Sequence, residues 1–194
     1  KLYLEGIEIL DKKIINDNTK EILDFLGIRR KPKTEEEQLM DEIKIFKYIV
    51  ENINSNPNYV QSRSKGEEFY LETLQTALTN NPGFPDTNSI AFNHLLNVIG
   101  IKNYLVKCKA ISSGSDHLAN LVEIGSDLYY FDTSLEKMKD SDQKELLCAA
   151  IGKDYYEGLY VPVAFLDTSI ELAQVDRPSN ISNSSKSRAL VEFI

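Results

Sequence analysis

The apolar positions of this chain change their period once. Up to about residue 100 they recur at helical spacing, and beyond it they alternate as in a strand. The clearest helix begins at Thr34, where Thr34-x-x-Glu37 forms a capping box. Leu39, Ile43, Phe46, Val50 and Ile53 follow as one apolar stripe, which Asn54 to Asn58, with Pro57 among them, brings to an end. Ahead of it the first 30 residues predict two short helices. Leu2, Leu4, Ile7 and Leu10 give the first an imperfect apolar face. Asn18, with Glu21 three residues on, caps the second, and Gly27 closes it. Another helix is expected from about Glu67 to Leu78, with Phe69, Leu74, Ala77 and Leu78 available for packing. Asn80-Asn81-Pro82-Gly83 breaks the chain, and Asp86-Thr87-Asn88 supplies capping chemistry for a helix that runs through Ile99 to Gly100. Its two apolar rows, Ala91, Leu95, Val98 and Phe92, Leu96, Ile99, predict that it is largely buried.

After Gly100 the pattern is that of strands. Tyr104, Val106, Cys108 and Ala110 alternate with Lys107 and Lys109, which places one face of a strand in the core. His117 to Ile124 and Leu128 to Phe131 read as two strands joined by a tight turn at Gly125-Ser126. Asp142 to Ile151 predicts a helix ending at Gly152, and Tyr160 to Leu166 a strand that Pro162 places near an edge. Residues 176 to 189 are poor in apolar side chains and read as a loop. There is no internal repeat. Helices first and an antiparallel sheet second make an α+β architecture, with N-terminal helices packed on the sheet.

At 194 residues the chain suffices for one domain with a proper core. The expected division is an N-terminal helical extension over 1–33, a core over 34–136, and a helix and strand extension of the same domain over 137–194. A net charge of −8 argues against a nucleic-acid or anionic-membrane partner, since both prefer a basic surface. The one basic cluster, Arg29, Arg30, Lys31 and Lys33, runs directly into Glu35, Glu36 and Glu37 and reads as a solvated approach to the helix. No apolar run reaches the roughly 18 to 20 residues that span a bilayer. The chain starts at Lys1, which leads to the expectation of a segment ahead of it and of a surface or extracellular location. Cys108 and Cys148 form no disulfide framework, and no spacing suggests a zinc or EF-hand site, so neither metal nor organic cofactor is expected. Asn180-Ile181-Ser182 and Asn183-Ser184-Ser185 fit the glycosylation sequon, a match that arises easily in so Ser/Asn-rich a stretch.

The hairpin carries the chemistry. If it turns at Gly125-Ser126, Ile124 faces Asp127, and Asp132 lies opposite Ala119 with His117 two residues along on the same face. Such diagonal neighbours are about 7–8 Å apart at the backbone, within reach of an Asp–His hydrogen bond. A carboxylate that orients an imidazole is two-thirds of a nucleophilic triad.

Around that pair the sequence resembles the transglutaminase-like core of the papain-like cysteine enzymes. Thr76-Ala77-Leu78, then Pro82-Gly83-Phe84-Pro85-Asp86-Thr87-Asn88-Ser89-Ile90-Ala91-Phe92, then Leu95-Leu96-x-x-Ile99-Gly100-Ile101, is similar to the family's A-L, G-V-C-x-G-Y-A-x-A-F and L-L-x-x-L-G-I. His117-Leu118-Ala119-Asn120-Leu121-Val122 and Leu128 through Asp132-Thr133-Ser134 resemble the family's H-A-W-N-x-V, hairpin and W-x-x-x-D-P-T, with its usual 15-residue step between His and Asp. The resemblance spans roughly residues 35 to 135 and implies a papain-like fold with His117 and Asp132 as triad members. In that register the catalytic Cys falls on Pro85, the following Gly-Tyr-Ala becomes Thr87-Asn88-Ser89, and the Trp after the His becomes Ala119. Proline has no nucleophilic atom but suits a helix start.

Replacement nucleophiles are scarce. Asp86 and Thr87 are better explained as caps, and Cys108 and Cys148 as buried small hydrophobes. His94 sits among apolar neighbours with no visible partner. The expectation is therefore a triad remnant, a pseudoenzyme of bacterial type that binds a protein or peptide partner or serves a structural role. The rival expectation is an active hydrolase or acyltransferase using Cys108 with His117 and Asp132.

Overall fold

The computed structural model describes residues 3–4, 7–8, 10–53, 65–79, 87–138, 146–169 and 171–186 of the chain. Four helices precede the main sheet: α1 (Lys12–Leu26), α2 (Glu35–Asn52), α3 (Gly66–Leu78) and α4 (Thr87–Val98). The sheet is built from β3 (Asn103–Ala110), β4 (Asp116–Ile124), β5 (Asp127–Phe131), β6 (Tyr160–Asp167) and β7 (Ala173–Val175), in the spatial order β5-β4-β3-β6-β7 with every neighbour antiparallel. Two short helices, α5 (Thr133–Lys137) and α6 (Lys153–Tyr156), lie between β5 and β6. The α+β class read from the pattern is the one observed.

Local chemistry explains the surest elements. Thr34 caps α2 by accepting the Glu37 N–H at 3.1 Å, and Glu37 reaches back to the Lys33 N–H at 2.8 Å. Glu35, Glu36 and Glu37 place negative charge at the positive end of the helix dipole. At the hairpin, Ile124 pairs with Asp127 and Asn120 with Phe131, the register the turn residues predict. Gly125 adopts φ +64°, the left-handed conformation this turn needs, and its N–H donates to Gln38 of α2.

The strand alternation divides the sheet into two faces. One carries Leu105, Leu118, Val122, Ile124 and Phe131 into a core shared with the helices. At its centre Phe46 of α2, Phe92 of α4 and Phe131 of β5 meet with ring centroids 5.5 to 5.6 Å apart. The other face carries Tyr104, Val106, Cys108, Ala119, Leu121 and Tyr130 into a second cluster, closed by Cys148, Ile151, Tyr156 and Ile181. Residues 148–156 and Ile181 thus cover the sheet face that the helices leave bare.

Several elements differ from the reading of the sequence. Tyr3–Leu4 (β1) and Ile7–Glu8 (β2) pair as an antiparallel ribbon where a helix was expected. Leu2 to Leu10 alternates at period 2 about as well as at period 3.6, and cross-strand pairing took the first. The following helix starts six residues earlier than Asn18, capped by Asp11, which accepts the Lys13 N–H; Asn18 lies inside it and donates to the Ile14 carbonyl. In α2 the buried row includes Ile45 and Ile49, while Val50 is half-buried. The described part of the expected 142–151 helix, residues 146–151, is irregular. There the Glu136 carboxylate takes the Leu147 and Cys148 N–H groups, and Ile151 bridges antiparallel to Tyr130, so helical bonds are replaced by tertiary ones. Residues 176–186 are irregular, as expected, yet they strap the outer edge of β5: Leu128 exchanges backbone hydrogen bonds with Asn180 and Ser182.

Candidate functional site

Strand register brings His117 and Asp132 together. His117 Nε2 lies 2.6 Å from Asp132 Oδ2, the carboxylate fully buried and the imidazole side chain 18% exposed. Asp132 is fixed from every side. Its N–H donates to the Cys148 carbonyl, and its Oδ1 accepts the Leu135 N–H at 2.9 Å, capping α5. Its Oδ2 also accepts the Tyr156 hydroxyl at 2.6 Å. A carboxylate only accepts, so His117 donates through Nε2–H, which makes Nδ1 the acceptor nitrogen. Nδ1 has no hydrogen-bond partner among the described residues.

Aromatic rings hold the imidazole plane. Tyr160 stacks on His117 at 4.3 Å and 18°, Tyr156 stacks on Tyr160 at 5.2 Å, and Tyr130 stacks on Tyr156 at 4.3 Å. Burial, with the Asp132 charge next, pushes the Tyr156 hydroxyl far above its ordinary value, so it stays a donor.

The start of α4 is tied to the same place. Ser89 Oγ donates to the Leu118 carbonyl at 3.1 Å, and the Asn120 amide donates to the Ser89 carbonyl at 3.0 Å. Thr87, read as a cap, is already helical and fully buried, and its hydroxyl has no partner among the described residues. Pro85, the position aligned with the family's nucleophile, and Asp86 lie outside the described residues.

Cys108 is the Cα partner of His117 across β3 and β4, a neighbour the sequence offered only as an alternative nucleophile. Its thiol is nevertheless turned inward: it is 2% exposed and bonds the Val106 carbonyl of its own strand at 3.7 Å, with no bond to His117. Burial, then the charges of Asp132 and Glu157, push the thiol up to about 12. A thiol at that value is ionised to roughly one part in 10⁵ at neutral pH, the inverse of what a nucleophile needs. Cys148 is also buried, on the irregular segment and not on a helix face. His94 has a partner after all: its Nε2 lies 2.9 Å from Thr19 Oγ1, joining α4 to α1 away from the pair. A groove of about 400 Å³ runs past His117, between Phe69 and Tyr70 of α3 and a floor of Leu105, Lys107, Leu118 and Leu166. Among the described residues no three His, Cys, Asp or Glu side chains gather as a metal site would require.

No protein-family profile matches the chain, and no curated protein matches it in sequence. Solved structures do match in shape. A Cytophaga hutchinsonii protein named as a cysteine protease superposes with a TM-score of 0.50 at 13% identity, over 88% of this chain and 56% of that one. The fold is papain-like.

This chain spans little more than half the length of that protein. Legionella pneumophila LapG is also similar, calcium-bound at a TM-score of 0.47 and 14% identity over 97% of this chain and 93% of that one, and EGTA-treated at 0.48 and 15% over 95% and 97%. Tyr156 and Tyr160 escaped sequence reading. They lie 39 and 43 residues beyond His117 in a segment with no periodic signal, and only the packing of the second sheet face brings them to the pair.

Proposed function

We propose that this domain is a non-catalytic papain-like module that holds a peptide segment of a protein partner in the groove beside His117 and Asp132. The observation that carries the reading is the state of His117. Its Nε2 is held by a buried carboxylate and its ring by Tyr160, while no sulfur bonds to it and Nδ1 is left to accept from a ligand. A backbone N–H of an extended peptide is such a donor. The groove volume suits one or two side chains, and its mostly apolar lining with Lys107 and His117 as polar groups matches the usual make-up of a ligand site. That a neighbour in this fold is named as a cysteine protease supports a polypeptide ligand. The rival, an enzyme using Cys108, has proximity in its favour, since that residue is the cross-strand partner of His117. Burial and the inward thiol weigh against it.

The test is alkylation of the native protein at neutral pH, followed by intact mass. No cysteine is expected to react on the timescale of a free thiol, and both should react after unfolding. Rapid native labelling that His117→Ala abolishes would establish the enzyme reading instead. Restoring the family's nucleophile with Pro85→Cys should add one fast, His117-dependent thiol. Peptides selected from a displayed random library should lose affinity on Val163→Asp, an exposed change in the groove wall. If no selected peptide responds to it, the groove is not the peptide site.

A further inference from the structure

We infer that Tyr156 is a positioning residue of the His117–Asp132 pair: its hydroxyl holds the carboxylate oxygen that receives His117 Nε2–H, and so fixes the orientation in which the imidazole meets a ligand. The inference rests on the reading of the pair as the binding site and names what orients it.

Two donors converge on one oxygen. Tyr156 Oη–H and His117 Nε2–H both reach Asp132 Oδ2 at 2.6 Å, distances at the short, charge-assisted end of the range. A phenol donating to that oxygen shares its negative charge with His117 Nε2–H. Together with the Leu135 N–H on Oδ1, the hydroxyl fixes the plane of the carboxylate, and with it the direction of the Nε2–H bond. The ring of the same tyrosine acts on the other side of the site. Fully buried and stacked between Tyr130 and Tyr160, it supports the ring that lies flat on His117.

Tyr156 owes its place to the C-terminal strap. Within α6 the Lys153 N–H donates to the Ser182 carbonyl and the Asp154 N–H to the Asn183 carbonyl. Gly152, at the N-terminus of α6, packs so closely on Ser184 that any Cβ would collide with its backbone. The strap fixes α6, α6 fixes Tyr156, and Tyr156 fixes Asp132. Residues 152–156 and 182–184 are thereby part of the site.

Tyr156→Phe removes the hydroxyl and keeps the stack. In ¹H and ¹⁵N NMR spectra of the full chain the Nε2–H resonance of His117 should move downfield in this variant, because Asp132 Oδ2 then accepts from the imidazole alone. Unmoved His117 signals alongside a lowered melting temperature would reduce Tyr156 to packing and overturn the inference. Should the variant not fold, the parent decides: its neutral His117 must show Nε2 protonated and Nδ1 bare, and the opposite tautomer refutes the proposal. These readouts use no ligand, so failure of peptide binding with the NMR behaviour intact would count against the peptide reading alone.

Discussion

Asp132→Asn exchanges an acceptor for a donor where three N–H and O–H groups converge. The amide can turn two ways. With its NH₂ in place of Oδ2 it confronts both Tyr156 and His117. With its oxygen there, it confronts only the Leu135 N–H, and this second orientation is the cheaper. Even then two charge-assisted bonds become neutral ones, at about 1 kcal/mol each, and the cap of α5 is lost for about 1 kcal/mol more. The sum is about 3 kcal/mol in a fully buried place that water cannot relieve. His117→Ala should behave differently. Asp132 keeps its bonds to Tyr156 and Leu135, the imidazole was partly exposed, and the cost should be about 1 to 2 kcal/mol. Urea unfolding at pH 7.5, followed by far-ultraviolet circular dichroism, measures both. A difference of at least 1 kcal/mol between the two variants, with peptide affinity lost in His117→Ala, marks the imidazole as functional and the carboxylate as its support. Equal losses would mean that the pair is only a tether between β4 and the end of β5, and the functional reading would fall.

Two further outcomes concern buried ionisable groups. Glu42 on α2 is fully buried with neither carboxylate oxygen bonded among the described residues, and burial, then the charge of Glu123, raises it well above its ordinary value. A carboxyl raised in the folded state contributes most below its unfolded value of 4.5 and loses that contribution as pH climbs through the folded one. Glu42→Met should therefore raise the urea midpoint at pH 8, by the equivalent of about 2 kcal/mol, with a smaller gain at pH 5; a loss at pH 8 would refute the assignment. Burial lowers His94 to about 4, so the folded chain resists its protonation. Stability should fall as pH drops from 6.5 towards 4, by no more than about 3 kcal/mol through this residue, and His94→Gln should flatten that limb of the stability curve.

What the sequence by itself determined is what short-range rules govern. The capping box at Thr34, the glycine turn at Gly125 and the period-2 alternation on either side fix a helix start and a strand register within a few residues. The register alone sets Asp132 beside His117, so that contact was legible in the sequence. The resemblance to the transglutaminase-like core added the expectation of a papain-like fold, which the structure bears out. Only the tertiary structure decided the rest. Residues 146–151 have helical composition but spend their hydrogen bonds on Glu136 and Tyr130, because a sheet face left bare by the helices has to be covered. That cover carries Tyr156 to Asp132 and Tyr160 to His117, and it turns Cys108 from an apparent neighbour of the imidazole into a sealed thiol. The same packing buried Glu42, which lies outside the apolar stripe read along α2, and gave His94 its partner in Thr19. Contacts across dozens of residues are chosen by which surfaces must leave water, and no periodicity of 2 or 3.6 encodes that choice.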